Sequence, residues 1–507
     1  MTILTEDSLE FSRNHISSFY DSDFFPKPFE FEAIWHCWDS VKADLMSKNV
    51  GRLNVSTPRT MPAPKVSGGF RIVHQLDPID SIVYAALAYE IAEKVELVRP
   101  TVQEKIACSY RLKIGDASFF SGGSGYADFV SQTEQLAGDY KYVLNTDITD
   151  FYNQIYLHRL NNNIEFADDA LKGVADDIED FVSRLNVKTS QGVPVGPAAS
   201  IVMAETVMVD IDRKISNMGF PHTRYVDDIR IFSNSREDLL IAHQDLCLYL
   251  YQSHRLTLSS EKTDHFESAE FVEKRLHNPY VEERTKFFRS LEIFNPYTQE
   301  LEEVEFEVLD DDALVESRLN DIIDRVLEYS QLDLGLIRSV LRRARQHRVV
   351  SIADKILPNF ERFTPVISDV ALYLAEISDD QLADQWTPIF EAHINQRLYD
   401  CQIVRFWMEW FMSKSTVLLE NNVIRQFFAS SPSFVHRASA AITTRDIAWV
   451  RDHRDQLANL GNWERRALIH AARILPTDER VPWLRLAESN LISPLDRWCA
   501  KWVRETA

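Results

Sequence analysis

The sequence predicts an α+β protein in which a sheet with packed helices is followed by an all-helical region. Between residues 140 and 265, strand-like and helix-like stretches alternate, as expected for helices that cover one antiparallel sheet. From about residue 317 onward, apolar residues recur at helical spacing and prolines mark the turns. The 507 residues contain only 14 glycines, which also favours helices.

The chain is long enough for two or three domains, because single cores stop growing at about 250–300 residues. We expect N-terminal helices and hairpins over residues 1–140, the sheet-bearing domain over 141–300, and an all-helical domain over 301–507. Residues 300–316 hold nine acidic residues and no basic one, which marks the last boundary. Short paired helices predict HEAT-like stacking in the last domain, although no clean repeat period is present.

The formal net charge of −22 argues against a protein that coats long duplexes, because phosphate contacts require a basic face. It leaves room for an enzyme with a local basic channel. Five dispersed cysteines without a CxxC pair predict free thiols in a reducing compartment. The N-terminus lacks the features of a signal peptide, and no stretch reaches the ~18 apolar residues of a membrane span. We therefore expect a cytoplasmic protein without a membrane partner.

Three short segments carry the candidate chemistry. Residues 145–152 (NTDITDFY) include the end of a predicted strand, residues 191–197 (QGVPVGP) precede a helix, and residues 225–228 (YVDD) form the tip of a predicted hairpin. If these strands share one antiparallel sheet, the carboxylates of Asp147, Asp227 and Asp228 converge. Two Mg²⁺ ions need such a cluster of hard oxygen ligands, with substrate phosphates completing the coordination.

In this order and spacing, the three segments resemble motifs A, B and C of the reverse transcriptase palm. Residues 256–263 (LTLSSEKT) resemble motif D. Four upstream segments resemble the fingers motifs of the same family: Pro64-Lys65, Phe70-Arg71, QLDPID at 75–80 and SYRLK at 109–113. The resemblance covers about residues 60–265. It implies reverse-transcriptase fingers and palm, and a nucleotidyltransferase that builds DNA from dNTPs.

The resemblance also implies roles for individual residues. Asp147, Asp227 and Asp228 are the expected catalytic metal ligands, and the carbonyl oxygen of Ile148 is a further ligand. Two Mg²⁺ ions are expected, with Mn²⁺ as a substitute. Tyr152 is the expected gate, since a flat ring at that position clashes with the 2′-hydroxyl of a ribonucleotide. The other expected nucleotide-binding residues are Lys65, Arg71, Arg111, Asp150, Phe151, Gln191, Gly192 and Lys262.

Outside the palm, the chain departs from the common reverse transcriptases. Retron enzymes usually read YADD and carry a VTG element, whereas this chain reads YVDD and has no VTG in residues 270–290. Group II intron enzymes resemble basic maturases, unlike this acidic chain. A long helical region stands in place of a basic thumb, and this layout resembles the bacterial abortive-infection reverse transcriptases of the AbiK type.

The AbiK-type resemblance implies a role in anti-phage defence and an unusual product. Enzymes of that type are similar to terminal transferases, because they build DNA without a template and start it on a protein tyrosine. The DNA product is then covalently attached to the protein, and closed homo-oligomers are typical. Tyr20 is one candidate primer among 17 tyrosines.

Three other functions stay open. The first is a template-dependent RNA-directed DNA polymerase of a mobile element, which a product of random sequence would exclude. The second is a non-enzymatic scaffold on a reverse-transcriptase fold, against which the intact aspartates argue. The third is a viral-type RNA polymerase, in which a glycine usually precedes the Asp-Asp pair of motif C.

Overall fold

A computed structural model describes residues 2–20, 24–66, 68–121, 125–276, 293–294, 301–302, 312–328, 332–491 and 493–507. The chain divides into two compact units, each assembled from separate stretches. The first unit comprises Met1–Ser22, Lys42–Arg59 and His74–Glu307, and the second comprises Asp23–Val41, Thr60–Val73 and Val308–Ala507. The expected boundary near residue 300, most of the acidic run, and most of the segment after motif D lie outside the described residues.

Helices and strands alternate through the N-terminal part of the chain. The elements are α1 (Glu6–Phe19), α2 (Glu30–His36), α3 (Trp38–Met46), β1 (Arg59–Pro64), β2 (Phe70–Gln75), α4 (Pro78–Val98), β3 (Arg111–Leu112), β4 (Phe120–Ser121), α5 (Tyr126–Asp139), β5 (Tyr142–Asp147), α6 (Phe151–Gln154), α7 (Leu157–Ala167), α8 (Lys172–Leu185), α9 (Ala198–Asn217), β6 (His222–Tyr225), β7 (Asp228–Ser233), α10 (Arg236–Tyr249), β8 (Asp264–Glu267), α11 (Ser268–Phe271), β9 (Ile293–Phe294) and β10 (Leu301–Glu302).

From residue 312 onward, the described chain is helical. The helices are α12 (Asp312–Glu328), α13 (Leu334–Gln346), α14 (Ser351–Ile356), α15 (Ile367–Ile377), α16 (Asp380–Ile394), α17 (Gln402–Met412), α18 (Thr416–Glu420), α19 (Asn422–Ala429), α20 (Phe434–Thr443), α21 (Ile447–His453), α22 (Asn462–Ala471), α23 (Thr477–Asn490) and α24 (Pro494–Thr506). This confirms the predicted all-helical region.

A four-stranded antiparallel sheet forms the centre of the first unit. Its strand order is β6-β7-β5-β8, so the strand that ends at Asp147 lies between β7 and β8. The strands β6 and β7 form the predicted hairpin, in which Tyr225 lies opposite Asp228. Val143 and Phe232 pack in a buried cluster beneath the sheet. The predicted combination of an antiparallel sheet with packed helices is therefore confirmed.

Two long helices fill the core of this unit because their surfaces are apolar on most sides. Helix α4 begins after Asp77, whose carboxylate accepts a hydrogen bond from the Ile79 backbone N–H, and Pro78 occupies its first turn. Helix α9 begins at Ala198, directly after the motif B segment. Burial of α9 fixes the end of the motif B segment, which contains Gln191 and Gly192.

Part of the stretch at residues 115–126 forms regular secondary structure. Phe120–Ser121 forms a short strand that pairs with Arg111–Leu112, and helix α5 starts at Tyr126. Phe119 and Phe120 are buried, and burial of two aromatic rings orders this stretch. Residues 122–124 lie outside the described residues.

In the second unit, helices pack mainly on their next-but-one neighbours. Helix α13 contacts α15, α15 contacts α17, α20 contacts α22, and α22 contacts α24. This is the contact pattern of stacked helix pairs. Trp407 is buried and its indole N–H donates to the carbonyl of Phe24, as expected for a tryptophan that serves the core. None of the described helices combines the length and hydropathy needed to cross a bilayer.

Candidate active site

The sheet brings the three predicted aspartates together at one edge. Asp147 is the last residue of β5 and lies directly opposite Asp228, the first residue of β7. Asp227 lies beside it in the turn between β6 and β7. Asp147 is buried, Asp227 is half-buried and Asp228 is exposed. The three aspartates are therefore neighbours where two adjacent strands end.

This proximity makes the negative charges unfavourable to one another. Burial, followed by the charges of Asp147 and Asp228, raises the pKa of Asp227 to about 7. Protein atoms crowd the carboxylate of Asp228 although the residue is exposed. That loss of hydration, followed by the Asp147 charge, raises its pKa to about 6. The site thus carries an excess of negative charge that a cation would stabilise.

Lys262 supplies one such cation. Its Nζ donates to Oδ2 of Asp147 over 2.7 Å. The motif D segment is held beside β5 by its backbone, because the Ser259 N–H donates to the Asp147 carbonyl over 2.8 Å and the hydroxyls of Thr146 and Thr263 lie 2.6 Å apart. Although partial burial acts in the opposite direction, the hydrogen bond to Asp147 raises the pKa of Lys262.

In the turn that contains Asp227, both the N–H and the carbonyl of Val226 are hydrogen-bonded. Val226 has a φ of +55°, a left-handed conformation that is unfavourable for a β-branched residue. Its N–H donates to the hydroxyl of Ser109 over 2.9 Å, and its carbonyl accepts from Nη1 of Arg224 over 3.2 Å. These two hydrogen bonds hold the strained turn in place.

A buried ionic network lies behind this turn. Arg224 pairs with Asp212 at 2.8 Å and with Glu205 at 2.8 Å, and Arg99 pairs with Glu205 at 2.7 Å. Ser109 donates its hydroxyl hydrogen to Glu205 over 2.8 Å. Two guanidinium groups balance two carboxylates, so the buried group is neutral overall, as burial requires. Although burial acts against it, the Arg224 charge lowers the pKa of Asp212.

Sequence reasoning missed this network. Glu205 and Asp212 are seven residues apart, and therefore lie on the same face of α9 two turns apart, among residues that are otherwise mostly apolar. Two acidic side chains on a buried helix face require buried cations, and this pattern was the available signal.

Motifs A and B also meet in the structure. The Gln191 side chain donates from Nε2 to Oε1 of Gln154 over 2.7 Å, and the Val193 N–H donates to the Tyr152 carbonyl over 2.9 Å. Gly192 has a φ of +91°, and a Cβ there would lie 3.0 Å from the carbonyl oxygen of Asn153. Glycine is therefore required at this close approach.

The structure places the other expected residues of these motifs as follows. Tyr152 is half-buried beside Phe151, with ring centroids 5.8 Å apart. Phe151 is buried, so its ring serves the core. Asp150 is exposed and accepts a hydrogen bond from Asn153. Ile148 forms an isolated bridge with Leu258 of motif D.

The expected triphosphate cations have different environments. Arg111 is half-buried, bonds the carbonyls of Pro100 and Ala107 at 2.9 and 3.0 Å, and pairs with Glu96. These contacts occupy both terminal nitrogens of its guanidinium group. Lys65 and Arg71 belong to the second unit, whereas the three aspartates belong to the first.

Tyr20, the candidate primer, lies in the first unit at the end of α1. Its hydroxyl accepts a hydrogen bond from Nε2 of Gln75 over 3.0 Å, and the residue is half-buried. A nucleophilic role therefore requires this contact to open.

With this geometry in place, comparison with known proteins identifies the domain. Residues 64–287 match the model of the family described as reverse transcriptase (RNA-dependent DNA polymerase). This part of the chain is a reverse transcriptase domain. The match indicates that this part of the chain is a nucleotidyltransferase of the RNA-directed DNA polymerase family. Among curated proteins, none matches the sequence.

Solved structures with some likeness to the chain include two telomerases. The telomerase from Candida albicans in complex with a TWJ fragment of telomeric RNA is 13% identical, with 75% of this chain and 71% of that chain covered and a TM-score of 0.33. The apo telomerase from Candida tropicalis is 11% identical, with 74% of each chain covered and a TM-score of 0.32. Likeness at this level carries no argument about function.

Reverse transcriptases generally use divalent metal ions, typically Mg²⁺. Within the described residues, no three His, Cys, Asp or Glu side chains are grouped closely enough to hold an ion, and Lys262 bonds Asp147. The chemistry of the aspartates nevertheless fits such an ion, because they offer hard oxygen ligands and their raised pKa values reflect an unbalanced negative charge.

Proposed function

We propose that this reverse transcriptase domain adds dNTPs to a DNA chain without a template, starts that chain on a protein tyrosine, and acts in anti-phage abortive infection. The observation that carries the polymerase part of the proposal is the register of β5 and β7, which sets Asp147 opposite Asp228 and next to Asp227. Carboxylates arranged in this way suit two-metal nucleotidyl transfer.

In this proposal, the carboxylates of Asp147, Asp227 and Asp228, together with the Ile148 carbonyl, would hold two Mg²⁺ ions. When bound, such ions activate the attacking oxygen and stabilise the leaving pyrophosphate. Tyr152 excludes the 2′-hydroxyl of a ribonucleotide, and Gln191 and Gly192 lie against motif A where a nucleotide would bind. Lys262 neutralises Asp147 until substrate and ions arrive.

The template-independent part of the proposal is supported by charge and layout. A net charge of −22 suits a polymerase that does not grip a long template duplex, because each phosphate contact requires a cation. The AbiK-type resemblance supports protein priming, a homo-oligomer and a cytoplasmic role in defence. Tyr20 remains a candidate primer that must first release Gln75.

A second function has its own support. The family match is to an RNA-dependent DNA polymerase, which favours template-dependent reverse transcription as in a mobile element. The two functions predict different products from the same active site.

One experiment separates them. Purified protein is incubated with Mg²⁺ and labelled dNTPs, without template or primer, and the products are resolved by denaturing electrophoresis. Label that stays with the protein, is removed by nuclease and is absent in Asp227→Ala supports protein-primed, untemplated synthesis. Label that requires an added RNA template and primer supports the second function. Unchanged incorporation by a folded Asp227→Ala protein would refute the assignment of the aspartates.

A further inference from the structure

A cavity in the second unit brings together two cations of the hairpin formed by β1 and β2, here called the fingers hairpin, and one cation of the helical region. The cavity has a volume of about 410 Å³ and is lined in part by Lys65, Arg71 and Arg338. None of the described residues that line it is acidic. Its volume lies within the range of small-molecule sites, roughly 300–1,000 Å³. The charge of the cavity therefore favours an anionic ligand.

The three cations differ in how firmly they are held. Lys65 and Arg71 are exposed on the hairpin formed by β1 and β2. Arg338 lies on helix α13, is 29% exposed, and has its Nε 3.3 Å from Oδ2 of Asp369. That pair engages one edge of the guanidinium group. The terminal nitrogens of an arginine can donate a parallel pair of hydrogen bonds to phosphate oxygens, and a fixed arginine does this at a smaller entropic cost.

The rest of the lining is apolar. Ile403, Trp407 and Pro365 form part of the wall, and the indole ring of Trp407 is fixed by its hydrogen bond to the Phe24 carbonyl. A ligand that combines several negative charges with a less polar body satisfies both parts of the cavity. A nucleoside triphosphate has this composition, with charge on the phosphates and an apolar face on the base.

We propose that Arg338 joins Lys65 and Arg71 as a third cation for the triphosphate of a dNTP. This inference rests on the proposed function, because it takes the dNTP as substrate. It adds a residue from the C-terminal helical region to nucleotide binding. The helical region would thereby contribute affinity for the nucleotide through Arg338.

A matched control lies one helical turn away. Arg342 also pairs with Asp369, with its Nε 3.7 Å from Oδ1, but Arg342 does not line the cavity. Arg338→Gln and Arg342→Gln therefore remove one cation each from the same helix and the same carboxylate. They differ in whether the lost cation faces the cavity.

The experiment measures dNTP binding by equilibrium dialysis in full-length protein that carries Asp227→Ala, so that no turnover occurs. We expect Arg338→Gln to raise the Kd for a dNTP about tenfold, the effect of about 1.4 kcal/mol, and Arg342→Gln to change it less than twofold. Arg338→Lys, which keeps charge but not the planar fork, should give an intermediate Kd and replaces the glutamine variant if that variant does not fold.

Several outcomes would overturn the assignment. Equal Kd values for Arg338→Gln and the parent, or equal losses in both variants, would remove Arg338 from the site. A loss of affinity for a single-stranded oligonucleotide with unchanged dNTP binding would assign these cations to nucleic-acid phosphates instead. If the parent binds dNTPs through Arg338 yet incorporates none under any condition, the polymerase proposal fails while this site stands.

Discussion

Lys262 and Asp147 are 115 residues apart in the chain, yet the Lys262 ammonium donates to the Asp147 carboxylate over 2.7 Å. This contact joins motif D to motif A beside the three neighbouring aspartates. It places a cation of the protein where a divalent ion would compete for the same oxygen. The ammonium group therefore partly balances the site whenever no ion is bound.

The first prediction concerns this balance. Lys262→Gln should lower the stability of the ion-free protein by about 1 kcal/mol, a small value because the lysine side chain is 62% exposed and screened by solvent. Mg²⁺ should then stabilise the variant more than the parent, because bound ions replace the missing charge. Thermal unfolding in EDTA and in Mg²⁺ measures both effects.

Lys274→Gln is the matched control for this prediction. Lys274 pairs with Glu270 at 2.7 Å on an exposed helix surface, so its loss removes a similar ion pair outside the carboxylate cluster. Its Tm should shift equally in EDTA and in Mg²⁺. The same equal shift in Lys262→Gln would show that the lysine does not balance the metal-binding carboxylates.

The second prediction concerns the hydrogen bond from the Val226 N–H to the hydroxyl of Ser109. Ser109→Ala leaves this partly buried N–H without its partner, which costs about 1 kcal/mol, the low end of the range for a buried group. The turn that carries Asp227 should then lose its fixed position. We expect kcat to fall about ten- to hundredfold with little change in the KM for dNTP, since the hydroxyl supports the reacting carboxylate and not the nucleotide.

Ser12→Ala is the control that separates an effect on the position of the turn from an effect on the stability of the protein. Ser12 is buried and donates its hydroxyl hydrogen to the Ser8 carbonyl over 2.7 Å, far along the chain from the turn. It should lower Tm without lowering kcat. If Ser109→Ala likewise lowers Tm alone, the serine is structural and has no positioning role.

The third prediction concerns the choice between dNTPs and rNTPs. Tyr152 is half-buried, and its backbone carbonyl is held by the Val193 N–H of motif B at 2.9 Å. Tyr152→Ala should lower the preference for dNTPs about ten- to hundredfold, because the ring that blocks the 2′-hydroxyl is gone. Tyr152→Phe keeps the ring and should keep the preference. Ratios of kcat/KM for paired dNTP and rNTP substrates measure this, and an unchanged ratio in Tyr152→Ala would remove the gate role.

The palm could be predicted from sequence because its signals are local. Strand ends and hairpin tips fix where Asp147 and Asp227 lie, and one antiparallel sheet then brings them together. The position of Lys262 followed from motif order alone. The role of Ser109 could not be predicted, because its hydrogen bond to Val226 joins residues 117 positions apart through a turn of unusual φ.

The grouping of the fingers hairpin was also beyond sequence reasoning. Lys65 and Arg71 were assigned to the N-terminal part of the chain, but their hairpin packs within the unit that contains the C-terminal helices. Which apolar faces meet depends on shape and packing between distant segments, and neither periodicity nor composition records this. In the sequence, Arg338 is one of several arginines on an amphipathic helix, and only the structure shows that it lines the cavity.

The fourth prediction concerns His74, which lies on β2 and joins that strand to the motif B segment. The His74 N–H donates to the Val195 carbonyl over 2.9 Å, and Nδ1 of His74 accepts from the Val195 N–H over 3.0 Å. Burial lowers the pKa of His74 to about 4. Because this lies below the ordinary value of about 6.5, the unfolded chain takes up the proton first. The stability contribution is complete above about pH 6.5 and is lost as the pH falls through about 4.

His74→Asn keeps an acceptor oxygen at this position and removes the titration. Between pH 7 and pH 4, the parent should lose about 2 kcal/mol more stability than the variant, less than the full shift implies because the ring is partly exposed. Urea unfolding across this pH range measures the difference, in which all other titrating groups cancel. His158→Asn, at a histidine that is 60% exposed, is the control and should follow the parent. Parallel stability curves for His74→Asn and the parent would show that the neutral ring does not hold motif B.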